Sequence, residues 1–279
     1  MLGVIDSESP HKITMDRRNF FSTALTASAL SLAGSASASA QSSDAPEFYE
    51  LRRYQLVNGP GAKLTSDYFA NALIPALNRL GISPVGAFSV YFGPDQPAYY
   101  LLMPSSRLET LVTAELELAK DAEFMKAAEP FWNANGNTPP YRTVESTLLR
   151  AFTGHPKLVV PETAKAKEKR IYHLRTYVSP TNGDHVNKVD MFNHGEFAIF
   201  TKSGATGVFY ADALVGPRLP SLTYMLSFPD LASLETSWAK FAADPDWKKL
   251  SSDPRFKLDP PNVSNIFSLV LNPLPGSQV

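Results

Sequence analysis

The stretch Glu47-Phe48-Tyr49-Glu50-Leu51-Arg52-Arg53-Tyr54 returns about 123 residues later as Arg170-Ile171-Tyr172-His173-Leu174-Arg175-Thr176-Tyr177. Tyrosine, leucine, arginine and tyrosine keep their spacing in both copies. The correspondence continues downstream in the same order, for example from Gly93-Pro94 to Gly216-Pro217. An ordered set of landmarks at one offset predicts that the chain contains one folding unit twice.

Hydrophobic periodicity predicts the same order of elements in both copies: a strand, a helix, two strands, a helix and a last strand. The predicted ranges are 47–56, about 64–80, 84–92, 98–104, about 106–120 and 142–152, and then 170–179, 186–203, 206–214, 221–228, about 230–242 and 263–271. Gly81 and Gly204 follow the first helix of each copy, as a left-handed helix end requires. The order β-α-β-β-α-β is the ferredoxin-like topology, so we predict an α+β protein of two tandem ferredoxin-like units.

The first forty residues have the pattern of an export signal. Arg17-Arg18 precedes Phe20-Phe21, a short apolar stretch follows, and Ala38-Ser39-Ala40 is a small-residue cleavage site. The stretch is too short and too rich in Ala and Ser to span a membrane. Adjacent arginines followed by phenylalanine resemble a twin-arginine signal, which predicts a bacterial protein that is periplasmic or secreted. A disordered tail is the alternative, and the start codon is Met1 or Met15.

The remaining chain divides by the repeat and by composition. We predict a first unit over residues 41–158, a charged, solvated linker over 159–169 and a second unit over 170–279. The full chain has no cysteine and a formal net charge of −1. This composition excludes disulfides and thiolate metal sites, and it offers no attraction for nucleic acid or an anionic membrane.

The repeated Tyr-x-Leu-Arg-x-Tyr opening, the glycine after the first helix, the Gly-Pro turn and the Asp-x-x-Trp segment after the second helix resemble the NIPSNAP family. The resemblance covers roughly residues 47–271. That family belongs to the dimeric α/β-barrel class, so the resemblance implies two sheets packed face to face as a barrel, here within one chain. It implies little about chemistry, because fold does not determine function. Phe124 in place of Trp247, and Glu50 in place of His173, leave open whether both halves keep the same pocket.

Alternation along the strands places Arg52 with Tyr54, and Arg175 with Tyr177, on one face of each first strand. We expect the opposite Tyr/Leu face to lie beneath the helices and the Arg/Tyr face to line the barrel interior. Two guanidinium groups and two phenols would then bind an anionic or aromatic ligand. The alternative is that both arginines pair with carboxylates such as Glu50.

A second candidate lies on the first helix of the second unit. A wheel of 100° per residue puts Asn193 and Glu196 close to the apolar face, and Glu196 replaces Leu73 of the first unit. Desolvation would favour the acid form of a carboxylate placed there, as in general acids and bases. The pattern therefore predicts a small pocket lined by Asn193 and Glu196. The alternative is that Glu196 reaches solvent or pairs with a lysine such as Lys202.

Metal and cofactor patterns are weak. His173, His185 and His194 lie within 22 residues, but none of them forms an i, i+4 pair or an H-E-x-x-H motif. The sequence therefore predicts no metal site and no cofactor. Some barrel relatives bind haem through a histidine, so the resemblance also allows haem.

Two functions remain open from the sequence. The first is a small-ligand-binding or assembly module of undefined activity, which is compatible with a homo-oligomer. The second is an enzyme of the dimeric-barrel type, a cofactor-light monooxygenase or isomerase acting on an aromatic or polyketide-like compound, with Glu196 or His173 as the base. A continuous cavity reaching Arg52, Arg175 or Glu196 would favour the enzyme, and a packed interior would favour the module.

Overall fold

Eight strands form one closed barrel in the computed structural model, which describes residues 45–57, 59–94 and 96–279. The predicted export signal lies outside the described residues. The strands are β1 (Phe48–Leu56), β2 (Gly86–Phe92), β3 (Ala98–Ser105), β4 (Tyr141–Ala151), β5 (Ile171–Val178), β6 (Thr206–Val215), β7 (Ser221–Phe228) and β8 (Asn265–Pro273). Every predicted strand is present, with ends that differ by at most two residues.

The described helices surround this barrel. They are α1 (Pro60–Tyr68), α2 (Ile74–Arg79), α3 (Leu108–Leu118), α4 (Ala122–Trp132), α5 (Glu162–Lys165), α6 (Asn182–Met191), α7 (Phe197–Ser203), α8 (Leu231–Ala243) and α9 (Pro245–Ser252). Helices α4 and α9 fall between the last predicted helix and the last predicted strand of each copy, where no element is predicted from the sequence. Each begins at an aspartate, Asp121 or Asp244, whose carboxylate accepts hydrogen bonds from backbone N–H groups of the first turn.

The strand order around the barrel is β1-β3-β2-β8-β5-β7-β6-β4. We call β1–β4 with their helices the first half and β5–β8 with theirs the second half. Within each half the first strand lies between the third and the last, and every pairing is antiparallel. The halves join through β2–β8 and β4–β6, so one chain closes the barrel by itself.

A π-helical turn interrupts the first helix of each half at the same place. The turns are Phe69–Leu73, between α1 and α2, and Phe192–Glu196, between α6 and α7. In the second turn Gly195 has φ +144°, a conformation that favours glycine, and α7 ends at Gly204 in the predicted left-handed conformation. A π-turn adds a residue per turn, so side chains beyond it are rotated relative to a regular helix.

The barrel interior is filled by apolar side chains from both halves. Tyr49 and Leu51 of β1 pack there with Tyr172 and Leu174 of β5 and with aromatic and aliphatic side chains of the other strands. The predicted orientation of the two strand faces is therefore wrong: the Tyr/Leu face points into the barrel, and the Arg/Tyr face lies beneath the helices. An interior packed with apolar side chains would leave a guanidinium group without solvation, whereas the helix layer supplies carboxylates and rings beside it.

Candidate functional site beneath the helices of the second half

In the first half, Arg52 is fully paired. Its Nε donates to Glu50 Oε1 (2.7 Å), its Nη2 to Glu50 Oε2 (3.2 Å) and its Nη1 to Glu115 Oε1 of α3 (2.5 Å). Ser146 of β4 also donates to Glu50 Oε1 at 2.7 Å. Burial alone would lower the pKa of Arg52, but the hydrogen bonds to Glu50 and the neighbouring negative charges raise it above the ordinary value. The expected pairing of Arg52 with Glu50 is present, although it lies outside the barrel.

Tyr54 lies beside this pair in the helix-facing core of the first half. Its ring contacts Phe69 edge-on, with centroids 4.9 Å apart. Burial raises the pKa of Tyr54 to about 12, against the opposing effect of the Arg52 charge, so the phenol is neutral near pH 7. Tyr54 therefore contributes to the packing of a closed, self-paired cluster.

In the second half, both carboxylates are replaced by rings. His173 stands in the strand position of Glu50, and Trp238 of α8 stands 123 residues after Glu115. The serine is kept, because Ser268 of β8 pairs with Arg175 in the same register in which Ser146 pairs with Arg52. We call this arrangement of the arginine, its serine partner on the last strand and the helix residue above it the frame. In the second half the frame holds an arginine without its two carboxylates.

Arg175 has rings instead of a counter-charge. Its guanidinium carbon lies 4.5 Å from the Trp238 ring centre and 5.1 Å from that of Tyr177. Among the described residues no carboxylate forms an ion pair with Arg175, and its buried Nε has no hydrogen-bond partner. The Nε is buried but the residue as a whole is half-buried, so part of the Arg175 side chain remains accessible.

His173 is held as a neutral hydrogen-bond donor. Trp238 Nε1–H donates to its Nδ1 at 3.1 Å, so the hydrogen of the neutral ring lies on Nε2, which is 2.7 Å from Ser268 Oγ. Burial, with a smaller contribution from the Arg175 charge, lowers the pKa of His173 to about 3. Neither ring nitrogen is free to act as a base or to bind an iron, so His173 does not fit the role of haem ligand.

Glu196 forms a buried ion pair with Lys188 of α6, a residue that the sequence patterns do not single out. Lys188 Nζ donates to Glu196 Oε2 at 2.8 Å, and the side chains are 6% and 3% exposed. Lys188 also lies over the Phe192 ring, 4.8 Å from its centre. A lysine partner was the expected alternative, but the suggested Lys202 pairs with Asp246 instead.

A position-by-position comparison of the repeats would have found Lys188, because Thr65 occupies its place in the first half.

Asn193 does not share a pocket with Glu196. Its side chain is exposed, accepts from the backbone N–H of Gly154 at 2.9 Å and donates to the carbonyl of Val189 at 3.0 Å. The regular-helix wheel fails here because both residues lie in the π-helical turn. The predicted pairing of Asn193 with Glu196 in one pocket is therefore wrong.

The phenols of the second half complete a cluster with an excess of positive charge. The hydroxyl oxygens of Tyr177 and Tyr224 lie 2.8 Å apart. Burial raises the pKa of Tyr177 to about 12 and that of Tyr224 well above its ordinary value, so both phenols are neutral near pH 7. The charges of the cluster are then those of Arg175, Lys188 and Glu196, two cations and one carboxylate.

A separate, small cavity of about 60 Å³ lies at one end of the barrel. Its floor includes Leu51 and Leu174, and its rim includes Arg218. The described residues that line it do not include Arg52, Arg175 or Glu196. Apolar side chains of both halves fill the barrel below this cavity.

The described residues contain no group of three or more His, Asp or Glu side chains arranged to hold a metal. Within the same part of the chain, no helix combines the length and the apolar character that crossing a membrane requires.

Comparison with known proteins relates this geometry to a family. The NIPSNAP family model matches residues 172–278, which contain the whole second-half cluster. The resemblance of residues 47–151 to the same family remains a prediction. A search of curated protein sequences gives no significant match.

Two solved structures share the fold along most of the chain. One, from Lactobacillus acidophilus and named "putative monooxygenase", is 7% identical, with 83% of this chain and 98% of that chain covered and a TM-score of 0.54. Another of the same name, from Fusobacterium nucleatum, is 10% identical, with 82% and 93% covered and a TM-score of 0.50. Similarity at this identity shows the fold alone. Residues 172–278 thus match the NIPSNAP family, within a chain whose fold is that of the dimeric α/β-barrel proteins.

Proposed function

We propose that the protein is a small-molecule-binding module built from two tandem ferredoxin-like units, with its ligand site in the second half. The site lies beside Arg175, between the outer face of β5 and β8 and helix α8. The repeated element order, the equal strand order of the two halves and the matching π-helical turns support the tandem arrangement.

The observation that carries the binding site is the missing counter-charge of Arg175. A buried or half-buried cation is costly unless it is paired, and the first half shows how this frame pairs one, with Glu50 and Glu115 around Arg52. The second half keeps the arginine and the serine but removes both carboxylates. A ligand that supplies the missing interactions would recover free energy that the unliganded protein lacks.

The same geometry favours binding over catalysis. Both ring nitrogens of His173 are in hydrogen bonds, and Glu196 is 3% exposed with Lys188 on its Oε2, so neither candidate base is open to a substrate. A general base needs a free lone pair within reach of the substrate proton. The names of the monooxygenase-like structures belong to those proteins, and an enzyme remains the less supported alternative for this chain.

The proposal includes export. The twin-arginine pattern of residues 1–40 predicts a protein that crosses the membrane folded, which suits a closed barrel completed within one chain. A homo-oligomer is compatible with this fold, although strand pairing does not require a second copy.

Native mass spectrometry of the exported protein tests the binding function. We expect the wild-type protein to carry a bound small molecule, or to gain one from periplasmic extract, and Arg175→Gln to lose it. Arg218→Gln is the matched control, because Arg218 also lies over a ring, that of Phe267 at 4.0 Å, but at the barrel mouth. Loss of the molecule in Arg218→Gln and not in Arg175→Gln would place the ligand at the mouth and contradict the proposal.

A further inference from the structure

We infer that the ligand of the Arg175 site is an aryl carboxylate, whose carboxylate supplies to Arg175 the counter-charge that Glu50 and Glu115 supply to Arg52. This inference rests on the proposed binding function and adds the chemical class of the ligand. It is drawn from the comparison of the two halves of one chain.

The first half contains a carboxylate already bound in this frame. Glu50 accepts from both Nε and Nη2 of Arg52, and the hydroxyl of Ser146 donates to the same carboxylate at 2.7 Å. Such a two-point contact fits the fork of a guanidinium group and fixes the plane of the carboxylate. The first half thus shows which anion the frame accepts and which donors hold it.

The second half retains those donors without a carboxylate, because the His173 ring stands in the strand position of Glu50. The Nε of Arg175 has no partner, and Ser268 occupies the register position of Ser146. The Ser268 hydroxyl accepts from His173 Nε2–H, which leaves its own hydrogen free to donate. Ser268 is exposed, so an incoming carboxylate can reach this hydroxyl from solvent.

The excess positive charge selects an anion. Lys188 and Glu196 neutralise each other, and the phenol of Tyr177 is neutral because burial raises its pKa. Arg175 therefore carries the unbalanced charge of the cluster. A neutral ligand would leave that charge uncompensated, and a cationic ligand would be repelled by it.

The side chains around the Arg175 guanidinium group favour a ligand whose remaining part is flat and apolar. Trp238 replaces Glu115 and lies with its ring against the guanidinium group. Ile266, which pairs with Tyr177 on the same face of β8 as Ser268, is 45% exposed. An aromatic ring joined to the carboxylate would cover this apolar surface, where aromatic contacts add to the burial of area.

Titration calorimetry with three aryl carboxylates, benzoate, phenylacetate and 2-naphthoate, tests the inference, with benzamide as the neutral probe. At least one carboxylate should bind the wild-type protein, and benzamide should bind about tenfold or more weakly than benzoate. Arg175→Gln should abolish carboxylate binding. Binding of none of the three carboxylates, or equal binding of benzamide and benzoate, overturns the inference.

A second variant tests the specific place of the carboxylate. His173→Glu restores the residue type of Glu50 beside Arg175, so the new side chain should pair with Arg175, raise the melting temperature and exclude the carboxylate. Trp238→Glu, which restores the residue type of Glu115, provides a second route if His173→Glu fails to fold. Unchanged benzoate affinity in the folded variant contradicts the proposed placement.

Different results would overturn the binding site and the chemical class of its ligand. One such result is a neutral or cationic molecule that native mass spectrometry finds on the wild-type protein and that is lost in Arg175→Gln. That result would support the binding function but overturn the carboxylate as the ligand class. Retention of every bound molecule in Arg175→Gln would overturn the binding site itself.

Discussion

The guanidinium carbon of Arg175 lies 4.5 Å from the centre of the Trp238 ring, at the place where Arg52 of the first half meets the carboxylate of Glu115. One frame thus holds a cation against an anion in one half and against a ring in the other. A ring neutralises a cation far less than a carboxylate does. The two halves therefore share a backbone arrangement and differ in the charge that they leave unpaired.

The ion pair of Lys188 and Glu196 predicts a strong dependence of stability on both partners. Glu196→Gln should lower the free energy of unfolding by roughly 3 kcal/mol, because it leaves Lys188 buried with an uncompensated charge. The sequence alone suggests the opposite, since a carboxylate on an apolar helix face is costly by itself. The double change Lys188→Met with Glu196→Leu should restore stability or exceed that of the wild type. Urea unfolding of the single and double variants measures this, and additive losses would show that the two residues do not interact.

Truncation of Phe200 should open a cavity in the helix-facing core of the second half and lower the stability of the protein. The ring is 2% exposed and stacks on Phe241 with centroids 4.6 Å apart. Phe200→Ala should therefore lower the free energy of unfolding by roughly 3 to 5 kcal/mol. Leu116→Ala is the control, because Leu116 is 65% exposed and its truncation should change stability by less than about 0.5 kcal/mol. Equal effects of the two variants would contradict the described packing.

His173 predicts a loss of stability in mild acid. Its pKa is about 3 in the folded protein and near the ordinary 6.5 when unfolded, so between these values the unfolded chain binds the extra proton. Stability should fall as the pH drops through this window, by at most about 1.4 kcal/mol per pH unit from this group. His173→Gln should show a shallower fall in urea unfolding between about pH 7 and about pH 5. Parallel curves for the two proteins would mean that the pKa of His173 is the same in the folded and the unfolded protein.

The proposed export signal of residues 1–40 can be tested by the compartment in which the protein is found. Replacement of Arg17 and Arg18 by lysines should keep the precursor in the cytoplasm, because the twin-arginine route reads the arginine pair. Cell fractionation and detection of the cleaved form measure the effect. A variant with the arginines intact and the cleavage site Ala38-Ser39-Ala40 altered should be transported without being processed. Normal export of the lysine variant would argue against this route.

The repeat predicts the strands and their order, because a duplicated pattern of apolar residues and turns is readable in one dimension. The orientation of the strand faces is not readable in the same way. Tyr49 inside the barrel and Tyr54 beneath the helices are 0% and 4% exposed, so both faces of β1 are buried and alternation cannot tell them apart. The charged residues give the better indication, since Arg52 needs the carboxylates that a helix layer can provide.

Only part of the candidate site could be predicted from the sequence. Replacement of Leu73 by Glu196 indicates a special position, and the carboxylate is indeed buried. Its partner Lys188 and the outward position of Asn193 depend on the π-helical turn, which no regular periodicity describes. Comparison of corresponding positions, Glu50 with His173 and Glu115 with Trp238, carries more information than either segment read alone.

Closure of the barrel within one chain, through β2–β8 and β4–β6, has an evolutionary consequence. In a barrel assembled from two identical subunits, every substitution appears at both sites at once, so a change that improves one site is imposed on the other. Here each site is encoded by its own codons. Selection can therefore hold the Arg52 cluster as a stabilising scaffold while the Arg175 cluster diverges toward recognition.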